Sequence, residues 1–207
     1  MTDKEAWGYV QGVGFGKIYL EIDPEKIYPK AEIETKVDEF RKGVGLTFSH
    51  DTFLRFERVN VKGAIISGSL GTGKTSILSY LAFKIIKEFS VKGDGFEEWH
   101  IPPMNFISTG ELFDLFFEKE KERIDALRSS NCLFLDDWGR EYQTDFPLSK
   151  FENFIEYRYA NLHTTLITTN IAPVDLPKNP KWSRIVDRFR DKKWMDIIEI
   201  KGKSMRG

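Results

Sequence analysis

The sequence holds a single cysteine, Cys132, and three histidines, His50, His100 and His163, scattered along 207 residues. One thiol closes no intrachain disulfide and histidines so far apart offer no zinc-ligand spacing, so a disulfide scaffold and a structural zinc module are excluded. Cys132 reads as a small core residue. No apolar run approaches the roughly 20 residues that cross a bilayer, and the first residues, MTDKEAWGYV, lack a basic-then-apolar leader pattern. A soluble cytoplasmic protein with no membrane partner is therefore expected. Net charge is also small: the formal value of -1 argues against a wholly basic, nucleic-acid-coating surface and leaves local patches open. No internal repeat and no Ser/Gly/Pro-rich linker divides the chain.

What is present is core material: 41% of the residues are hydrophobic, and 17 are Phe, enough for one globular domain. Residues 1–45 read as an N-terminal extension that could carry a partner-binding element, and 46–207 as the main domain. Up to about residue 30 the extension is rich in glycine and aromatics (Trp7, Gly8, Tyr9, Gly12, Gly14, Phe15, Gly16, Tyr19), which predicts loops or short extended pieces. Gly12, Gly14 and Gly16 do not have the spacing of a dinucleotide fingerprint. A helix is predicted over 31–42, with Ile33, Val37 and Phe40 on one face and Gly43 as its stop. From Val61 onward strands and helices alternate: a strand at 63–67, a helix at 75–89, a strand at 104–108, a helix at 111–128, a strand at 132–135, a helix at 149–161 and strands at 166–169 and 197–200. That order predicts an α/β fold, a parallel sheet with helices on both faces.

Gly68, Ser69, Leu70, Gly71, Thr72, Gly73, Lys74 and Thr75 match G-x-x-x-x-G-K-[ST] between the first predicted strand and its helix, with Ser76 following. The glycines let successive backbone N–H groups turn inward around phosphate oxygens, and the helix start adds its positive dipole end. An ATP or ADP site follows, with Lys74 meeting the β- and γ-phosphates and the Thr75 hydroxyl ligating Mg²⁺. Cys132-Leu-Phe-Leu-Asp136-Asp137 is an apolar strand ending in two carboxylates, the Walker B arrangement; Asp136 is the candidate for the metal.

The order of these motifs resembles the AAA+ ATPases of the DnaC/DnaI helicase-loader and IstB transposition-helper group, over about residues 62–206. The helix ending in Arg158-Tyr159, the strand Thr164-Thr-Leu-Ile-Thr-Thr-Asn170, the segment Arg184-Ile-Val-Asp-Arg188-Phe and the close Gly202-Lys-Ser204-Met-Arg206 carry the rest of the likeness. The resemblance implies a three-layer P-loop NTPase, an AAA+ core without a C-terminal helical lid domain because the sequence stops soon after Arg206. It makes Asn170 a sensor of the γ-phosphate or of the attacking water. Asp137 stands where many related ATPases carry a glutamate that polarises that water, one methylene shorter, which slows hydrolysis. Arg188 becomes a finger acting in trans on a neighbour's nucleotide, with Arg184 a second candidate, and this requires self-association. Arg158 is open between an intersubunit contact and a structural ion pair, and Arg206 is a candidate substitute for a sensor arginine. Helicase binding would fall to the 31–42 helix or to the aromatics of the first thirty residues.

Residues 178–207 hold ten Lys/Arg against four acids, a patch suited to phosphate, whether a neighbour's ATP or DNA. Trp182 and Trp194 beside it read as core residues ahead of base-stacking ones. The 111–128 helix reads as an amphipathic packing element with a wet end and not as a DNA element. Together these features favour an ATP-binding and ATP-hydrolysing loader that delivers or regulates a replicative helicase on single-stranded DNA. The alternatives are an IstB-like ATPase assisting a transposase on duplex DNA, and a nearly non-hydrolysing nucleotide-gated binding module. A small P-loop kinase fits less well, because Asn170 and the distant Arg184/Arg188 pair are not its equipment.

Overall fold

The structure is a computed structural model that describes residues 1–20, 63–92, 99–101, 103–139, 145–191 and 195–200. The helix predicted over 31–42, the boundary at 45/46, Trp194 and Arg206 lie outside the described residues. In chain order the elements are α1 (Asp3–Val13), β1 (Gly63–Gly68), α2 (Lys74–Phe89), a short antiparallel pair β2 (Val91–Lys92) and β3 (Trp99–His100), β4 (Met104–Ser108), α3 (Thr109–Glu118), α4 (Lys121–Ser129), β5 (Cys132–Trp138), α5 (Asp145–Ala160), β6 (Thr164–Thr169), α6 (Ser183–Phe189) and β7 (Met195–Ile200). None of the described helices is long and apolar enough to cross a membrane.

The strands other than β2 and β3 form one sheet in the order β4-β5-β6-β1-β7, with every neighbouring pair parallel. The alternation of side chains along a strand sorts its apolar residues onto two faces. Ile107, Leu135, Ile167 and Ile65 are register partners across four strands and point into one core with α3 to α6, whereas Phe106, Phe134, Leu166 and Ala64 face the other, under α1 and α2. A one-residue slip in any of these strands would exchange the two sets, so burial on both faces fixes the register. The chain leaves β1 through α2 on one face of the sheet and leaves the adjacent β6 towards α6 on the other. In such sheets that is where the crevice beyond the strand ends opens.

The first twenty residues correct the expectation of loops. Thr2 caps α1: its side-chain oxygen accepts the Glu5 N–H at 3.3 Å while a Glu5 carboxylate oxygen accepts the Thr2 N–H at 2.6 Å. Gly8 and Gly12 each cost a helix roughly 0.5–1 kcal/mol relative to alanine, and burial outweighs that cost. Ala6 and Val10 are fully buried, Trp7 stacks on Phe83 with ring centroids 4.4 Å apart, and Phe15 packs on Phe106 at 4.2 Å. Phe15 thus belongs to the core, and Trp7 is half-buried against it. Gly14, in the left-handed region at φ 119, ends the helix, and a Cβ there would stand 3.1 Å from the Phe106 carbonyl oxygen.

The single helix expected over 111–128 is two. Ser108 and Glu111 form a capping box that starts α3, and Lys119 at φ 60 ends it. Leu112, Phe113, Leu115 and Phe116 are buried by then, and the following Glu118-Lys-Glu-Lys-Glu run offers nothing apolar to hold the same axis on the sheet. The break re-aims the chain so that Leu127 of α4 is buried and Ile124 packs against the same core. Trp182 is 5% exposed and in contact with Trp138, which settles it as a core residue.

Arg158 is neither of the things expected of it. Its side chain is fully buried and its partners are carbonyls: Leu127 O at 2.9 Å, Arg128 O at 3.0 Å, Ser130 O at 2.9 Å and Thr164 O at 2.5 Å, with Nε donating to Thr165 Oγ1 at 2.8 Å. One planar fork thus satisfies the end of α4 and the entry to β6. Arg158→Lys, whose ammonium cannot reach those acceptors together, is expected to cost roughly 2–5 kcal/mol, read as a lower urea midpoint at unchanged slope.

Candidate nucleotide and metal site

β1 delivers the chain to the loop, and α2 begins at Lys74 on the other side of it. Gly71 and Gly73 both sit at φ 78, the left-handed conformation that side chains rarely adopt. Gly73 is the N-cap of α2 and no side chain caps the helix. A helix start without a side-chain cap suits an anion, which the helix dipole favours. A Cβ at Gly68 would stand 2.8 Å from Ile200 O, so β7 holds the loop from behind. Leu70 is 55% exposed at the loop tip, and Ser76 lies half-buried in the first turn of α2.

Lys74 is 7% exposed and turns back over the loop, donating to Gly68 O and Ser69 O, each at 2.9 Å, and to Asn170 Oδ1 at 2.7 Å. Asn170, just past β6, donates from Nδ2 to Asp137 Oδ1 at 2.6 Å. An ammonium only donates and a carboxylate only accepts, so the chemistry itself fixes which way this amide faces. Thr75 Oγ1 donates to Asp136 Oδ2 at 2.9 Å. The sequence-predicted phosphate, metal and water-side residues are thus joined in one network.

The two carboxylates reach this network through a bulge. β5 pairs with β6 in step as far as Leu135 opposite Ile167, then resumes at Trp138 opposite Thr169, so Asp136 and Asp137 together face Thr168. Asp137 takes φ 60 to make the turn. The Thr168 hydroxyl accepts the Asp137 N–H at 2.9 Å and donates to Asp136 Oδ1, and Thr109 Oγ1 donates to the Asp136 carbonyl at 3.0 Å. Neither threonine was singled out from sequence; the only clue to Thr168 is its place two residues before Asn170. Burial pushes the Asp136 carboxyl above the usual carboxylate range, against the hydrogen bonds from Thr168 and Thr75 and the charge of Lys74, and with the repulsion of Asp137. Burial likewise pushes the Cys132 thiol up to about 12, which makes it an inert core residue.

These groups suit the ligands expected of them. An uncapped helix start with a lysine folded over it fits phosphate oxygens. A hydroxyl and a carboxylate in contact form a hard-oxygen donor pair of the kind Mg²⁺ takes.

The structure superposes on that of DnaI with a TM-score of 0.66 at 20% identity, covering 93% of this chain and 95% of that one. A DnaC helicase loader matches with a TM-score of 0.61 at 22% identity, over 90% of this chain and 100% of that one. The chain shares the fold of DnaI and of that DnaC. The replication initiator DnaA, solved with AMPPCP and single-stranded DNA, shares it at a TM-score of 0.51 and 18% identity, over 86% of this chain and 52% of that one. No protein-family model matches the sequence, and no curated protein does.

Arg184 and Arg188 lie on α6 and pair with acids of α5. Arg188 Nε donates to Glu156 at 2.7 Å, its NH1 to Asp187 at 3.0 Å, and its guanidinium lies 5.1 Å from the Tyr159 ring centre. Tyr159 in turn donates to Asp191 at 2.8 Å. Arg184 is 81% exposed at the side chain, 3.7 Å from Glu152.

The raised Asp136 carboxyl has a consequence for stability. The folded chain holds this proton more tightly than the unfolded chain, so the ionised group destabilises the nucleotide-free fold above its raised pKa and not below the ordinary carboxylate range. Asp136→Asn is expected to raise the melting temperature of nucleotide-free protein at pH 7.5, the gap to wild type closing as the pH falls through that window; thermal melts across pH check it.

Proposed function

We propose that the protein is an ATPase of the helicase-loader type, which binds ATP between subunits and delivers or holds a replicative helicase on single-stranded DNA. The observation that carries this reading is the convergence of Lys74, Thr75, Asp136, Asp137 and Asn170, linked by hydrogen bonds of 2.6 to 3.1 Å. In support, a DnaC of this fold is a helicase loader, and a DnaA of this fold binds AMPPCP and single-stranded DNA.

Lys74 and the first turn of α2 bind the β- and γ-phosphates. Thr75 and Asp136 hold Mg²⁺, which when bound neutralises phosphate charge. Asp137 takes a proton from the attacking water. When Lys74 turns to the phosphates it releases Asn170 Oδ1, an acceptor that then orients the same water. Arg188 of an adjacent subunit supplies positive charge in the transition state, a role worth about 10³ to 10⁵ in rate elsewhere. The cluster around Glu156 holds that guanidinium at the surface.

A second observation favours single-stranded DNA as the nucleic acid. Phe117 of α3 and Phe146 of α5 are 50% and 48% exposed, stand 5.8 Å apart between ring centres, and carry Lys150 Nζ at 5.7 Å from the Phe146 ring. Two touching exposed rings with a cation beside them offer a base-stacking platform. The basic C-terminal segment is a weaker candidate, since among its described residues Lys178 pairs with Asp175 and Arg184 and Arg188 pair with Glu152 and Glu156.

Purified protein with ATP should retain a replicative helicase or single-stranded DNA, and Lys74→Ala should abolish this. Retention of a transposase and duplex DNA instead would move the protein to the transposition-helper reading, and retention of none of them sinks both. Arg188→Ala should bind nucleotide without turnover, and mixing it with Lys74→Ala subunits should restore part of the activity; wild-type turnover by Arg188→Ala removes the finger. Phe117→Ala and Phe146→Ala should each weaken single-stranded DNA binding by about 1–3 kcal/mol per stacked base while leaving nucleotide affinity unchanged, as fluorescence anisotropy would show.

A further inference from the structure

We propose that Thr168 is a positioning residue whose single hydroxyl sets the metal-holding and water-facing carboxylates relative to one another. The inference rests on the ATPase reading above and deepens it. Thr168 is 1% exposed, next to last in β6, and is the one residue of that strand opposite the two-residue bulge at Asp136 and Asp137. A bulge takes a backbone amide out of the ladder, and here the Asp137 N–H goes to the Thr168 side chain at 2.9 Å. The same oxygen donates its proton to Asp136 Oδ1. A hydroxyl has one proton and two lone pairs, so it can serve both partners only in this sense: it accepts from the amide that fixes Asp137 and donates to the carboxylate oxygen of Asp136. Asp136 is held a second time by Thr75 from the phosphate loop at 2.9 Å. The carboxylate is thereby pinned between the loop and β6, and the residue doing the second pinning also holds the turn that aims Asp137.

Thr168 makes its contacts through Asp136 and Asp137 and belongs to neither the phosphate loop nor the metal donors. Its loss should therefore act on metal affinity, where removing a partner of a ligand costs about 10- to 100-fold, and much less on nucleotide affinity without metal. Thr168→Val keeps the β-branched shape and deletes both hydrogen bonds; Thr168→Ala does so without filling the space; Thr168→Ser restores the hydroxyl.

The test uses the full chain, ADP and Mg²⁺. The Mg²⁺ concentration that half-tightens ADP binding should rise about 10- to 100-fold in Thr168→Val and Thr168→Ala and stay near wild type in Thr168→Ser. ADP affinity in EDTA should change less than about twofold, since the hydroxyl bonds to the Asp136 carboxylate and the Asp137 N–H and not to the phosphate loop. In nucleotide-free protein, amide exchange over 136–138 should quicken in the Val and Ala variants only. Unchanged Mg²⁺ dependence in the Val and Ala variants overturns the inference and leaves the ATPase reading standing, as does equal impairment in Thr168→Ser, which would mark a packing effect. A wild type that binds ADP with no response to Mg²⁺ also overturns the inference alone, whereas a wild type that binds no ADP overturns the ATPase reading and takes this inference with it.

Discussion

Successive side chains on a β-strand point to opposite faces of the sheet, so two consecutive aspartates at the end of a strand would ordinarily serve different sides of the molecule. β5 escapes this at Asp136 and Asp137 by slipping one residue against β6, with Asp137 in the left-handed region. The phosphate loop supplies Lys74 and Thr75 from β1 and α2, and β6 supplies Thr168 and Asn170, yet these have a common target only because the bulge brings both carboxylates to the same crevice. The local cost of a non-glycine residue at positive φ is of order 1–3 kcal/mol. The hydrogen bonds that converge on the bulge offset it.

The bulge also ties the site to the rest of the fold. Trp138, which resumes the β5 ladder, is fully buried and packs against Trp182 at 5.1 Å and Phe189 at 5.2 Å, residues that bracket α6. The helix that carries Arg184 and Arg188 is therefore seated on the same ring that anchors the carboxylate strand, and Gly139 leaves room beside it for Ile171, whose Cδ1 stands 2.3 Å from where a Cβ would be. At the opposite end of the sheet Arg158 takes the corresponding structural task, gathering carbonyls from α4 and β6. On the other face, α1 covers the strands and joins α2 through Trp7 on Phe83, so the helix that starts at the phosphate loop is braced by the chain's first residues.

The parallel sheet, its α/β alternation and the glycine-rich loop between β1 and α2 were legible because each rests on a short-range rule: apolar runs for buried strands, and glycines where the backbone takes positive φ. The same local rules misread two places. Glycine content argued against a helix at residues 3–13, although Thr2 and Glu5 already spelled a capping box; the burial of Ala6, Val10 and Phe15 outweighed the glycine cost. Helical spacing ran straight through Lys119, where nothing in the charged run fixes an axis and the contacts of Leu127 with the core decide the break. For Arg158 the sequence offered a charge and suggested a charged partner, whereas the buried end of α4 had bare carbonyls to satisfy.

By itself the sequence determined the chemistry: which residues offer the amides of a glycine-rich loop, a lysine, a hydroxyl and carboxylates, and in what order along the chain. Tertiary structure alone decided which of them act together. Asp136 and Asp137 share a site through a one-residue slip against β6, Thr168 joins them from a strand that reads as plain core, and Arg184 and Arg188 pair with Glu152 and Glu156 of α5. Motifs are carried by residues close in sequence, whose geometry the backbone dictates locally; the bulge, the buried guanidinium and the placement of α6 depend on strand register and packing between distant segments, which no local pattern encodes.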